Sequence, residues 1–189
     1  MSAAAKITVL LVAVVALLGS AGASAWAIAS GGGTKVLVLS PRELPGWRLG
    51  QNQAVVSGDA LATLDPRASA PTSNRRLDGW IARYAQTKTI ISSGGFLTSG
   101  PAAARAIVKH ILAAPAQGGG APHHRVSIGD GGAASISQGS LQSSVDLVWS
   151  SGKYVIQIGT QTLGPKSQLS QAQVLALARK VQARVPSAG

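Results

Sequence analysis

Between Lys6 and Lys35 the chain carries no charged side chain, and Ile7 to Leu18 is almost wholly aliphatic. A run of this kind has no polar face to offer water, so it reads poorly as a surface helix of a globular core. Met1 to Lys6 has the form of a short basic n-region, Ile7–Leu18 that of an h-region. The triplets Ala21-Gly22-Ala23 and Ala23-Ser24-Ala25 both fit the small-x-small pattern of a cleavage site. An uncleaved anchor fits equally well. Ile7 through Ala29 gives about 23 uncharged residues, enough at about 1.5 Å per residue to cross about 30 Å of hydrocarbon. Trp26 would then sit at the interface. Both readings export the remainder of the chain and attach it, at least transiently, to a membrane.

Residues 1–29 are thus expected to be a signal peptide or signal anchor, and 30–34 a Gly-rich linker. Residues 35–189 would form a single extracytoplasmic domain. The chain has no cysteine, which removes lipidation, disulfides, thiol catalysis and thiolate metal sites. The exported domain must be held by its core alone.

Net charge is +11, from 17 Lys and Arg against 6 Asp and Glu, yet charged residues make up only 12% of the chain. That share is about half the usual one, so the imbalance reflects missing acids more than added bases. Two accounts stand. The bases could form a face for anionic envelope polymers or lipid headgroups, or the composition could suit an acidic or ion-rich medium. Arg67, Arg75, Arg76, Arg83 and Lys88 make the densest zone, with Lys166, Arg179, Lys180 and Arg184 a second. Neither is the compact basic block of a nucleic-acid-binding segment, and export makes nucleic acid an unexpected partner. If an anionic partner binds, Arg75, Arg76, Arg83 and Lys88 are the expected contacts.

Periodicity supplies the elements. Lys35–Leu39 reads as a strand, and Glu43–Trp47 as a turn that packs Trp47 on the domain edge. Ser57 could cap a short helix closed by Asp65-Pro66. Trp80, Ala82 and Tyr84 alternate with Ile81, Arg83 and Ala85, as in a half-buried strand. Thr89–Leu97 continues as a second strand, where Gly94-Gly95 suggests a bulge. Ala104, Ile107, Val108, Ile111 and Leu112 form one apolar stripe on a helix that starts at Pro101 and is stopped by Pro115. Val145, Leu147 and Trp149 face Tyr154, Ile156 and Ile158 across a turn at Ser150-Ser151-Gly152. Ser170 and Gln173 form a capping box for a closing helix. The expected fold is α+β: an antiparallel sheet of about five to six strands with helices on one face, preceded by the N-terminal hydrophobic helix.

Catalytic signals are thin. His110 flanks the stripe of the central helix, and His123-His124 lie in a Gly/Pro loop without a metal-ligand spacing. Ser150-Ser151-Gly152-Lys153 matches S-x-x-K, but falls on a hairpin turn and no SDN or KTG triplet follows. Glu43, Asp59, Asp65, Asp78, Asp130 and Asp146 are the whole supply of carboxylates, most with ready roles in turns, helix ends or strands. No cofactor, no metal and no catalysis are expected.

Leu44-Pro45-Gly46-Trp47, Ile128-Gly129-Asp130, Val148-Trp149 and Gly152-Lys153-Tyr154-Val155, followed by the closing amphipathic helix, carry a family likeness. In these the chain resembles small exported α+β domains of Gram-positive-type bacteria, the PknH-type extracellular sensor and related lipoprotein-like domains. It departs from them in having no cysteine. The resemblance implies a noncatalytic sensing or envelope-binding module and transfers no site residues. Two other classes compete. A small secreted hydrolase would bring a histidine near a carboxylate or serine. A structural subunit docking another exported protein would show an apolar patch around Trp47 or Trp149.

Overall fold

The computed structural model describes residues 33–57, 77–113 and 122–185. The leader, most of the linker, the expected helix after Ser57, and Arg75 and Arg76 lie outside the described residues. Among those described, no helix is long and apolar enough to cross a membrane.

Among the described residues seven strands, not the five to six expected, form one sheet: β1 (Arg48–Ser57), β2 (Leu77–Gln86), β3 (Thr89–Leu97), β4 (His124–Val126), β5 (Gly131–Gln138), β6 (Gln142–Ser151) and β7 (Tyr154–Leu163). Their spatial order is β1-β2-β3-β7-β6-β5-β4, and every pairing is antiparallel. Among the described residues two α-helices complete the core, α1 (Pro101–Ala113) and α2 (Gln171–Gln182), with short 3₁₀ turns at Lys35–Leu37 and Pro41–Glu43. The chain leaves β3 near the middle of the sheet and crosses one face as α1. It re-enters at the β4 edge and folds back through β5 and β6, so that β7 returns to pair with β3.

The helices lie on opposite faces, not on one as expected. Ala104, Ile107, Val108 and Ile111 of α1 pack with Ala133, Val148 and Val155. Val174, Leu177, Ala178 and Val181 of α2 pack with Ala134, Leu147, Trp149, Ile156 and Ile158. Neighbouring residues of a strand point to opposite sides, so the pairs Ala133/Ala134, Val148/Trp149 and Val155/Ile156 assign one helix to each face. Each fully buried aliphatic of these stripes contributes about 1.5–3 kcal/mol, more than helix propensity supplies. Ser170 accepts from the Gln173 amide, which returns its own side chain to the Ser170 amide, and this capping box fixes where α2 starts.

Residues 35–39 do not form a strand. Lys35–Leu37 is a 3₁₀ turn, and Val38 and Leu39 run on extended over the α2 face, with Leu37, Val38 and Leu39 all buried. Leu39 N–H donates to Ser93 Oγ (3.0 Å), and Tyr84 Oη donates to the Leu39 carbonyl (2.6 Å). An apolar run of this length satisfies its backbone by capping the sheet as well as by joining it. Ser57 is the last residue of β1, and the helix expected after it lies outside the described residues. Gly94-Gly95 carries no bulge, since the β2–β3 and β3–β7 registers run through it unbroken. Both glycines answer close approach. A Cβ on Gly94 would stand 2.9 Å from the Phe96 ring, and one on Gly95 2.5 Å from Leu37 Cβ.

Candidate functional site

On the face that carries α1, strand register brings six residues into one row: Gln51, Arg83, Ser92, Gly159, Asp146 and Ser135. The adjacent row towards the helix is Gln53, Ile81, Gly94, Gln157, Val148 and Ala133, and α1 packs on its last two members. The row on the other side is Ala85, Ile90, Gln161, Ser144 and Ser137. The first row is therefore polar and small-residued, with a cation second from one end and an acid second from the other. Three strand spacings of about 4.8 Å separate the Arg83 and Asp146 backbones by about 14 Å, and only Ser92 and Gly159 lie between them.

Both charged groups have unused bonding capacity. Arg83 Nε is buried and has no hydrogen-bond partner, and burial lowers the pKa of the guanidinium. Asp146 keeps partial exposure as a residue, but its carboxyl group is closely surrounded, and that burial pushes it up to about 6 against a hydrogen bond from Ser144. Ser144 Oγ donates to Oδ2 at 3.0 Å. Oδ1 leans over β7, 2.6 Å from where a Cβ on residue 159 would stand, so glycine there is what gives the carboxylate its position. Ser144 is the one side-chain donor to this carboxylate among the described residues, and it does not offset the burial.

Of the four basic residues expected to act together, Arg83 lies half-buried on the sheet face and Lys88 is exposed in the β2–β3 turn. Asp146 and Ser92, the other parts of the row, carry no sequence signal of their own. Period-2 alternation gives the face of each strand, but only strand order makes β2 and β6 ends of one row.

His124 Nε2 lies 2.8 Å from Gln171 Nε2, and His110 is half-buried on α1. The described residues hold no group of three His, Cys, Asp or Glu suited to a metal ion. Ser150 and Ser151 belong to β6 and Lys153 to the turn after it, while Ser151 Oγ accepts from Gln182 Nε2 at 2.9 Å. This is not the helical serine–lysine geometry of penicillin-recognising enzymes. Trp149 is fully buried, with Nε1 donating to Gln182 Oε1 at 2.8 Å. Trp47 is half-buried against the core. Of the two, only Trp47 keeps exposed surface, with exposed Leu49 two residues away.

Neither a known protein family nor a curated protein matches the sequence. Among solved structures, the extracellular domain of PknH from Mycobacterium tuberculosis is similar, with a TM-score of 0.53 and 12% identity. The match covers 82% of this chain and 96% of that one. The resemblance expected from the sequence thus holds in three dimensions, and at this identity what the two chains share is the fold.

Proposed function

We propose that this chain is an exported, membrane-tethered, noncatalytic binding or sensing domain of the bacterial cell envelope, whose ligand seats on the Arg83–Asp146 row. The observation that carries this reading is a cation with an unpartnered Nε and an acid with a single protein donor, aligned on one sheet face. Proteins rarely leave such groups under-bonded without a use for them. The apolar leader supports an extracytoplasmic position, and likeness to a domain described as extracellular is in keeping with it. The ligand would present an anionic group to the guanidinium and a hydrogen-bond donor to the carboxylate, as polyanionic envelope glycans and lipid headgroups do.

The test is retention of the full chain on anionic envelope fractions at rising salt, for the parent and Arg83→Gln. Retention that falls with salt and drops at least tenfold in the variant is expected, since one charge-assisted contact is worth about 1.5–3 kcal/mol. Equal retention of both proteins, or binding indifferent to salt, would remove the row as the site. Fractionation of native cells with N-terminal sequencing tests tethering separately: an intact chain in soluble cytosol would overturn export.

A further inference from the structure

The sheet end remote from the β6–β7 turn carries a second surface, independent of the Arg83–Asp146 row. Five large hydrophobic residues are exposed among those described, and three of them, Ile90, Leu141 and Leu163, converge here. Backbone bonds make the convergence contiguous: Leu163 N–H donates to the Lys88 carbonyl and Gly164 N–H to the Leu141 carbonyl, both at 2.9 Å. Ile90 pairs with Gln161, so Ile90 and Leu163 are diagonal neighbours on one side of the sheet. Leu141 and Leu163 are 66% and 56% exposed, values a packed core residue never shows.

Cations flank this aliphatic strip. Lys88 is exposed in the β2–β3 turn, and exposed Lys166 follows β7. The chain beyond Lys166 returns to the same end, because Gln168 Nε2 donates to Gln86 Oε1 at 3.0 Å. Exposed Arg48 stands opposite Ala85, one residue before Gln86. The three segments 86–91, 139–143 and 161–168 contain no carboxylate. The result is a sheet end with protruding aliphatics and a one-signed rim.

From this arrangement we infer that the sheet end bearing Lys88, Ile90, Leu141, Leu163 and Lys166 docks onto an anionic lipid surface. Three aliphatic side chains, Leu141 in a turn and Ile90 and Leu163 at strand ends, are well short of the roughly 800 Å² per partner that a stable protein interface buries. They suffice to enter a headgroup layer, where lysines meet lipid phosphates while the aliphatics leave water. The inference uses the export reading but not the ligand row, and its test leaves Arg83 and Asp146 intact.

The chain has no native cysteine, so a single introduced thiol gives a clean reporter. Full chain carrying Ser140→Cys, labelled with an environment-sensitive fluorophore, is reconstituted in phosphatidylcholine vesicles with or without 30 mol% phosphatidylglycerol. A control label at Lys153→Cys reports the opposite end. A blue shift of the Ser140 label is expected only with the anionic lipid. Lys88→Ser with Lys166→Ser should weaken it about 30-fold, at roughly fivefold per lysine. Ile90→Ser with Leu163→Ser should weaken it further at unchanged circular dichroism. An equal shift in both lipids, an equal shift of both labels, or no shift would overturn the proposal. So would a shift that tracks protein density instead of lipid charge, which would assign the surface to a protein partner.

Discussion

Arg184 and Glu43 close the two ends of the domain on each other, with Arg184 Nη1 2.9 Å from Glu43 Oε2 and Nη2 donating to the Val38 carbonyl at 2.9 Å. Glu43 also accepts from the Ser40 amide (2.7 Å) and hydroxyl (2.9 Å). Burial opposes its ionisation, but the Ser40 amide, the Arg184 side chain and the Ser40 hydroxyl outweigh it and hold the carboxyl below its ordinary 4.5.

This pair pins the 33–47 segment over the sheet, so Glu43→Gln should cost about 1.5–3 kcal/mol at neutral pH. A carboxylate with a depressed folded pKa stabilises fully above the unfolded value, here 4.5, and loses that contribution as pH falls through the folded one. The gap between parent and variant in urea-unfolding midpoint should therefore be full at pH 7 and close progressively below 4.5. A gap that persists at pH 2.5 would show that Gln fails for steric reasons instead.

Asp146 has the opposite sign. Its folded pKa of about 6 exceeds the ordinary 3.8, so the folded state holds the proton more tightly and stability falls as pH rises between those values. Asp146→Asn should raise stability by about 2 kcal/mol at pH 7.5 and change it little at pH 4, read as Tm by calorimetry.

Arg83→Met should separate stability from binding. Removing a half-buried cation whose Nε has no partner is expected to leave stability unchanged or raise it by about 1 kcal/mol, while abolishing ligand retention. A loss above 2 kcal/mol would mean that the guanidinium holds the fold together.

Gly95→Ala should destabilise by about 1–3 kcal/mol, because its Cβ would meet Leu37 Cβ at 2.5 Å and the Thr34 carbonyl at 3.3 Å. Gly100→Ala, with nothing within 4 Å, is the matched control and should be near neutral. Denaturant midpoints measured side by side check both.

Local physics made much of the fold legible. The stripe from Ala104 to Leu112, the Ser170/Gln173 box and the alternation in β2, β6 and β7 each depend on neighbours within a few residues, and they fixed both helices and most central strands. β1 escaped because Arg48–Ser57 is polar from Gln51 through Gln53 and carries Gly50, as an edge strand paired on one side can afford. The Lys35–Leu39 run could not announce whether it would join the sheet or cap it, since an apolar run suits either. That choice came from Ser93 and Tyr84, more than 40 positions away, which bind the Leu39 backbone.

Tertiary structure alone decided the candidate site and the distribution of helices. Sequence could place Arg83 on one side of its strand and Asp146 on one side of another. Their shared row required β3 and β7 to pair between them, and strand order is set by long-range burial that no local pattern encodes. The same burial sent α1 and α2 to opposite faces: near the β6–β7 turn, Val148 and Val155 make one side apolar and Trp149 and Ile156 the other, so each had to be covered.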